Sequence, residues 1–173
     1  PQPAVAVTSA QSIASGLTPF ANGCDGVAAN GVLYPSAEVE PFLAVDPLDA
    51  DTMVGVWQQD RWSNGSARGL VSATTRDGGR SWQRTQLPFS RCGGGNLMNG
   101  GNYARASDPW VTYSPNGVVH AMSLSTSGAT NAMLVSRSFN DGLHWTNPIA
   151  LIVDGLGAFN DKNALTADPH DAD

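Results

Sequence analysis

The sequence has 173 residues, of which 41% are hydrophobic and 14% are charged, and this composition supports one folded domain with a buried core rather than a disordered chain. The net charge of −6, with only nine Lys and Arg residues, argues against a nucleic-acid partner, and no apolar stretch approaches the roughly 18 to 20 residues of a membrane-spanning helix. The 19 Gly and 11 Pro residues separate short runs of Val, Ala, Leu, Thr and Ser, a pattern that favours an all-β fold.

The chain starts with Pro1-Gln2-Pro3, without an initiator Met or a leader, so we expect a mature or trimmed chain. Its two cysteines, Cys24 and Cys92, both lie in Gly-rich sequence that is typical of loops. Such a pair favours a disulfide and a secreted, extracellular or periplasmic protein, with two free thiols as the alternative. No CxxC motif or neighbouring His indicates a zinc site.

Strand-like runs follow in a regular order along the chain. Residues 40–47 read as a short strand closed by a Pro turn, and residues 108–115 and 162–169 repeat that pattern. Further strands are predicted between and after these runs, at 52–58, 69–75, 81–87, 117–123, 132–138 and 145–153. The order predicts four strands in each repeating unit.

An eight-residue turn also occurs twice, once in each unit. Its shared positions are Ser or Thr first, Asp or Asn third, Gly fifth and Trp eighth. They are Thr75, Asp77, Gly79 and Trp82 in the first copy and Ser138, Asn140, Gly142 and Trp145 in the second. The polar third side chain can accept hydrogen bonds from its own turn, Gly allows a positive φ, and Trp packs where the next strand begins. We therefore predict a structural role for all eight residues.

A four-stranded antiparallel sheet of this size cannot bury both faces alone, so the units are expected to stack around an axis as blades of a β-propeller. The predicted blades are residues 38–90 and 104–153, followed by the first strand of a third at 162–169. Closed propellers have roughly four to eight blades. With about two and a third blades, we expect a truncated chain, a proteolytic fragment or one half of a two-chain propeller. The partner is then the remaining propeller, as a second chain or a C-terminal part.

The repeated turn is known as an Asp-box, and with the Pro-closed strand before it the chain resembles the sialidase-like (BNR-repeat) β-propeller superfamily, specifically secreted bacterial sialidase-family proteins. The resemblance covers residues 38–173 and leaves residues 1–37 as an N-terminal extension that we expect to wrap the outside. Gln59-Asp60-Arg61 is similar to the Glu-x-Arg that ends the family's second strand. However, Glu40 stands where the family places an arginine, and the loop after Trp62 lacks the family's acid.

Charged residues recur where the innermost strands would line a central site. Glu40, Asp108 and Lys162 occupy equivalent positions before their closing Pro residues, and Asp161 adds a carboxylate. The end of the second strand should share a face with the start of the first. The predicted funnel is lined by Glu40, Asp60, Arg61, Trp62, Asp108, Trp110, Asp161 and Lys162. In the alternative reading, these charges cap strand ends, pair with one another or hold a structural cation.

The first functional hypothesis is an extracellular glycoside hydrolase of the sialidase-like type that acts on glycans at this funnel. Arg61 and Asp60 are its catalytic candidates, and the two Trp residues would stack on sugar rings. The resemblance implies that a Tyr nucleophile, its Glu and further arginines come from later blades, so this chain alone should be inactive. The alternatives are a non-catalytic propeller that binds glycan or protein, and a structural subunit. No cofactor is expected, with a structural calcium ion as the alternative.

Overall fold

The computed structural model describes residues 11–28 and 30–170, and this part of the chain contains eight β-strands and no helix. The all-β prediction is therefore confirmed. The strands are β1 (Leu33–Val45), β2 (Met53–Trp62), β3 (Ala67–Thr75), β4 (Gln83–Gln86), β5 (Arg105–Tyr113), β6 (Val119–Ser127), β7 (Thr130–Ser138) and β8 (Ile149–Asp154).

The strands form two antiparallel meanders, each with four strands in chain order. In the first meander β1 pairs with β2, β2 with β3 and β3 with β4, and in the second meander β5 to β8 pair in the same way. A single residue pair, Ala67 with Ala106, joins β3 to β5 and makes one open sheet. The four strands that the sequence predicts for each unit are present in the predicted order.

The start of β1 and the segment at 162–169 differ from the sequence prediction. β1 begins at Leu33, ahead of the predicted boundary at residue 38, because its first residues pair with the end of β2. Residues 162–169, predicted as a third innermost strand, form no strand, since no described segment offers them a hydrogen-bonded ladder. They lie against the second meander instead, where Leu165 packs beside Met122.

Alternation along β2 separates two apolar faces of the first meander. Val54 and Val56 point into a core shared with Val111 and Leu134 of the second meander. Trp57 points the other way, into a smaller cluster with Phe20 of the N-terminal segment, Val71 and Ala73 of β3, and Cys92 of the loop after β4. The second meander therefore covers one face of the first, and the N-terminal segment covers the other.

The N-terminal segment is fixed to the first meander by side-chain contacts and by one covalent bond. Arg84 of β4 donates a hydrogen bond of 3.0 Å to the Leu17 carbonyl, and Trp82 Nε1 donates one of 2.9 Å to the Ser12 hydroxyl. The structure contains the disulfide that the sequence predicts, between Cys24 and Cys92, with a Cα separation of 4.9 Å. Residues 11–28 are thus held to the outer side of the first meander.

The two eight-residue turns have the same internal hydrogen bonds. In the first turn (75–82), the Thr75 hydroxyl accepts the Gly79 N–H at 2.9 Å, and in the second turn (138–145) the Ser138 hydroxyl accepts the Gly142 N–H at 2.8 Å. The third residue of each turn accepts a backbone N–H four positions later, at 2.9 Å in both copies. Both fifth-position glycines have a positive φ, of 82° and 78°. The turns are local structures that each sequence builds by itself.

Candidate functional site

Three equivalent positions of the repeated pattern share an uncommon backbone conformation. Glu40, Asp108 and Lys162 have φ values of 53°, 48° and 66°, in the left-handed region that side chains other than Gly seldom occupy. The ladders of β1 and β5 are interrupted around the first two of these residues. Pro41 and Pro109 follow them, and because Pro has no N–H to donate, each interruption falls where the ladder cannot continue.

The first two bulges bring polar side chains of both meanders together. Gln58, which is fully buried in β2, donates its side-chain amide to Glu40 and, at 3.0 Å, to the hydroxyl of Ser107 in β5. Arg61 donates a hydrogen bond of 2.8 Å to the Gln58 side-chain oxygen. We call the set Glu40, Gln58, Arg61, Ser107, Asp108 and Lys162 the Glu40 cluster.

Two carboxyl groups from successive units meet in the Glu40 cluster. Partial burial raises the pKa of Asp108, and a hydrogen bond with Glu40 and the negative charge of that residue raise it further. Asp161 adds a smaller effect in the same direction. The Lys162 ammonium opposes these effects from 3.8 Å, but 72% of its side chain is exposed to solvent. Asp108 therefore keeps its proton to a higher pH than an isolated aspartic acid would.

Asp60 lies apart from these carboxyls, although the sequence predicts it in the same funnel. Its φ of 63° interrupts the alternation of β2, so that its side chain faces the N-terminal segment while Arg61 contacts Gln58. Its carboxylate is fully buried and accepts hydrogen bonds from the Thr18 hydroxyl at 2.7 Å and the Ser36 N–H at 2.8 Å. Arg68, also buried, lies 3.7 Å away. These contacts give Asp60 a structural role.

The two candidate sugar-stacking tryptophans are in different environments. The ring of Trp62 is 4% exposed and is covered by the Arg105 guanidinium, 4.7 Å from its centroid. Trp110 is half-buried and stacks on Phe42, with ring centroids 3.9 Å apart. Trp110 is the more accessible of the two, and its stack joins β5 to β1.

Sequence reasoning missed three polar residues beside the predicted ones. Gln58 and Ser107 are uncharged and belong to no recognisable motif, although a Gln within an otherwise apolar β2 face is a signal that alternation could have revealed. Asn163 donates its side-chain amide to the Asp108 carbonyl at 3.0 Å. Its side-chain oxygen is buried and has no hydrogen-bond partner among the described residues.

A separate cleft of about 500 Å³ lies between the second meander and residues 165–168. Its walls include Thr112, His120, Arg137 and Phe139. Burial lowers the pKa of His120, and the nearby Arg137 lowers it further. The cleft contains none of the residues of the Glu40 cluster.

Comparisons with protein-family models and with curated proteins yield no match to this chain. Across residues 11–28 and 30–170, no helix has the length and apolar character needed to cross a membrane. Within the same residues, no three His, Cys, Asp or Glu side chains are grouped so that they could hold a metal ion.

Proposed function

We propose that this chain is part of a secreted sialidase-like β-propeller, and that the complete protein is a glycoside hydrolase whose glycan-binding mouth contains the Glu40 cluster. The observation that carries the proposal is the convergence of equivalent left-handed residues, Glu40, Asp108 and Lys162, at one place between the units. Strained backbone positions persist where the surrounding structure holds them, and they concentrate at functional sites. A repeated bulge that gathers charged groups is typical of a site rather than of a strand end.

The packing of the two meanders supports a propeller arrangement. The innermost strands, β1 and β5, are joined by the stack of Phe42 on Trp110, while Trp145 of the second turn is buried against β3 of the first meander. The first strand of each meander thus lies at the cluster, while the second turn packs against the first meander away from it. Further units of the same kind, from a second chain or from a C-terminal part, would complete the ring and the mouth.

The chemistry of the cluster fits acid catalysis on a hydroxylated substrate. A carboxyl with a raised pKa keeps its proton to a higher pH than an ordinary carboxyl does, and it can donate that proton to a leaving glycosidic oxygen. Arg61 is held by Gln58 beside the carboxyl pair and has further N–H groups to orient a substrate oxygen. Trp110 offers an apolar ring beside these polar groups, as sugar-binding sites require. The Cys24–Cys92 disulfide is consistent with the proposed extracellular location.

One observation favours a second candidate, a non-catalytic propeller that binds glycan. The carboxyl of Glu40 lies close enough to that of Asp108 to raise its pKa by a hydrogen bond, whereas the two carboxyls of a glycosidase usually stand about 5 to 9.5 Å apart with substrate or water between them. Asp60 supplies no replacement, because its carboxylate is already engaged by Thr18, Ser36 and Arg68. Catalysis would then require a nucleophile from a unit beyond these two meanders.

Hydrolysis of a panel of fluorogenic glycosides by the natural protein tests the proposal. We expect turnover, and we expect Arg61→Ala to lower kcat/KM by about 100-fold, because a positioned donor to the reacting group is lost. Arg80→Ala is the matched control, since Arg80 is exposed and bonds only within the first turn. If the natural protein binds glycans in an array but releases no product, the non-catalytic candidate replaces the hydrolase. Wild-type turnover in Arg61→Ala would contradict the assignment of the mouth.

A further inference from the structure

The second turn (138–145) packs on one face of the first meander, and the repeat gives this contact a counterpart on the second meander. The Thr74 hydroxyl of β3 donates a hydrogen bond to the Asp141 carbonyl of the turn. A Cβ atom on Gly142 would lie only 3.1 Å from Val54 Cγ1 of β2, so the turn lies very close to the sheet. We call this surface of the first meander the first docking surface, and it consists of Val54, Ser72, Thr74 and Arg76.

The equivalent surface of the second meander lines the cleft beside residues 165–168. Arg137 and Thr74 are equivalent, because each directly precedes its own turn. Their pairing partners across the sheet, His120 and Val54, are therefore equivalent as well. We call the equivalent surface the second docking surface, and it consists of His120, Val135, Arg137 and Phe139. Three of these residues line the cleft of about 500 Å³, whereas the first docking surface is covered by the second turn.

Residues 162–169 cover the neighbouring part of the same face. On the first meander, Val56 belongs to one apolar cluster with Val111 of β5. Leu165 is the equivalent of Val111 in the repeated pattern. It packs beside Met122, which is the equivalent of Val56. The second meander is therefore covered as the first is, except at the cleft, which corresponds to the position of the turn.

The side chains of the second docking surface define the kind of turn that it fits. On the first surface, the Arg76 guanidinium pairs with the Asp141 carboxylate at 2.6 Å. Phe139 stands at the position of Arg76, and the cation of the second surface is Arg137, which is exposed and forms no ion pair among the described residues. Asp168, on the other wall of the cleft, caps its own turn instead. A turn with an acid at its fourth position and an apolar side chain for Phe139 would match this surface.

The first turn of a second copy of this chain does not match it. Residues 162–169 already lie where β1 of such a copy would have to pack. Trp82 of that turn bonds to Ser12 of the N-terminal segment, which covers the surrounding face of the first meander. The fourth position of that turn is Gly78, which has no carboxylate to pair with Arg137. A unit that adjoins residues 162–169 in the same chain avoids these conflicts.

We propose that the cleft is the docking site for the turn of a third four-stranded unit, supplied by the part of this protein's chain that follows residues 162–169. The turn has the same form as the first two, with an acid at its fourth position paired with Arg137. Its fifth position is Gly, because a side chain there would meet His120 as one on Gly142 would meet Val54. This inference rests on the proposed propeller and names the surface through which the next unit joins it.

Thiol labelling of the natural protein tests whether the cleft is covered. Cys24 and Cys92 form a disulfide, so the described residues contain no competing free thiol. Phe139→Cys places a thiol on the second docking surface, and Leu48→Cys is the matched control in the turn between β1 and β2, since the two side chains are 71% and 70% exposed. We expect Phe139→Cys to react with iodoacetamide at least about tenfold more slowly, because a thiol beneath a docked turn reacts only when the contact opens. Equal rates, measured by peptide mass spectrometry, would overturn the proposal.

Charge reversal at Arg137 tests the predicted ion pair. When Arg137→Glu is added to Phe139→Cys, two acids face each other, and the labelling rate should rise toward that of Leu48→Cys. Arg137→Lys retains the charge and should retain most of the protection. Arg80→Glu is the control, since Arg80 is exposed and bonds only within the first turn. Full protection in the variant with Arg137→Glu would contradict the acid at the fourth position.

Dilution distinguishes a third unit of the same chain from a second copy. Protection by a unit of the same chain does not depend on protein concentration, whereas protection by a second copy is lost on dilution through mass action. We expect the labelling rate of Phe139→Cys to be the same at high and low protein concentration. A rate that rises on dilution would place a second copy in the cleft and contradict the proposal.

The docking site and the hydrolase fail in different ways. If the thiol of Phe139→Cys is unprotected but the natural protein hydrolyses glycosides, the docking site is wrong and the hydrolase stands. If that thiol is protected and Arg137→Glu exposes it, while no glycoside is cleaved, the docking site stands and the hydrolase is wrong.

Discussion

The indole Nε1 of Trp145 donates a hydrogen bond of 3.1 Å to the hydroxyl of Ser72, and this contact anchors the second turn on the first meander. Nearby, the Thr74 hydroxyl bonds to the carbonyl of Asp141, and the Arg76 guanidinium pairs with the Asp141 carboxylate at 2.6 Å. The turn is therefore both a local structure of the second meander and part of the interface between the two units.

We expect replacement of Trp145 to destabilise the protein more than the same replacement of Trp82. Trp145 is 6% exposed within the shared core, so Trp145→Ala should lower the free energy of unfolding by about 3 to 5 kcal/mol. Trp145→Phe retains most of the packing and should cost about 1 kcal/mol for the lost hydrogen bond to Ser72. Trp82 is only partly buried and bonds to Ser12, so Trp82→Ala is the matched control. Urea denaturation measures all three, and equal losses at the two tryptophans would show that the turns have equivalent surroundings.

The sequence was sufficient to predict the two turns because the hydrogen bonds that shape their backbones are local. Thr75 and Asp77 bond within their own eight residues, as do Ser138 and Asn140, and spacing alone determines which atoms meet. The four-strand order also followed from short-range patterns of apolar residues and turn formers.

The location of Asp60 could not be predicted in the same way. Its contacts with Thr18 and Ser36 join parts of the chain that are distant in sequence, and its left-handed φ reverses the alternation that the hairpin argument assumed. Gln58 joins Glu40 to Ser107 of the other meander, a bridge that no motif in either strand indicates. The strand predicted at 162–169 likewise needs a neighbouring strand to pair with, and the apolar pattern of one segment does not show whether such a neighbour is present.

Asp77→Asn should make the unfolding stability less sensitive to acid. Hydrogen bonds from the side chain and backbone of Ser81, with another from Thr75, lower the pKa of Asp77 to about 2. Because the folded-state pKa is depressed, this contribution to stability is present above the unfolded pKa, near 4, and is lost as the pH falls toward 2. An Asn retains an acceptor oxygen but does not titrate.

The second turn provides the reciprocal variant. Asn140 already accepts the backbone N–H of His144 at the equivalent position, so Asn140→Asp should introduce the acid sensitivity that Asp77→Asn removes. Thermal melts between pH 2 and pH 7 would measure both effects. Parallel curves for the wild type and Asp77→Asn would contradict the assigned role of the carboxylate.

Removal of the disulfide should loosen the N-terminal segment before the meanders unfold. Cys24 and Cys92 are 68 residues apart in sequence, and the loss of a bridge of this span should cost about 4 kcal/mol through the freedom gained by the unfolded chain. We expect Cys24→Ala with Cys92→Ala to increase hydrogen exchange in residues 11–28 more than in β5 to β8. Uniform protection across the chain after removal of both thiols would show that Phe20 and its neighbours hold the segment without the bridge.

Asp60→Asn should unfold the protein at lower denaturant concentration while Glu40→Gln has little effect. Both Asp60 and Arg68 are buried, so loss of the carboxylate leaves an uncompensated guanidinium, at a cost of about 3 kcal/mol or more. Glu40 is exposed, and its replacement retains an acceptor for Gln58. Chemical denaturation of the two variants distinguishes a structural Asp60 from a catalytic one, because a purely catalytic role predicts wild-type stability for Asp60→Asn.

Asp108→Asn should stabilise the folded protein at neutral pH and leave it unchanged in acid. Burial raises the pKa of Asp108, and the hydrogen bond and charge of Glu40 add to that effect. Because the folded state holds this proton more tightly than the unfolded state, the contribution to stability is complete below the unfolded pKa, near 4, and is lost as the pH rises through the folded pKa. An Asn at this position does not titrate, so the variant avoids this loss of stability as the pH rises. The contact with Lys162 is long and exposed, so its removal offsets little of the stability that the variant gains. The free energy of unfolding of the two proteins, measured by urea denaturation from pH 3 to pH 8, should therefore be equal in acid. At higher pH the two values should separate, with the variant the more stable. If the variant is instead less stable at pH 7, the Asp108 carboxylate is stabilised by Lys162 more than it is opposed by Glu40 and by burial.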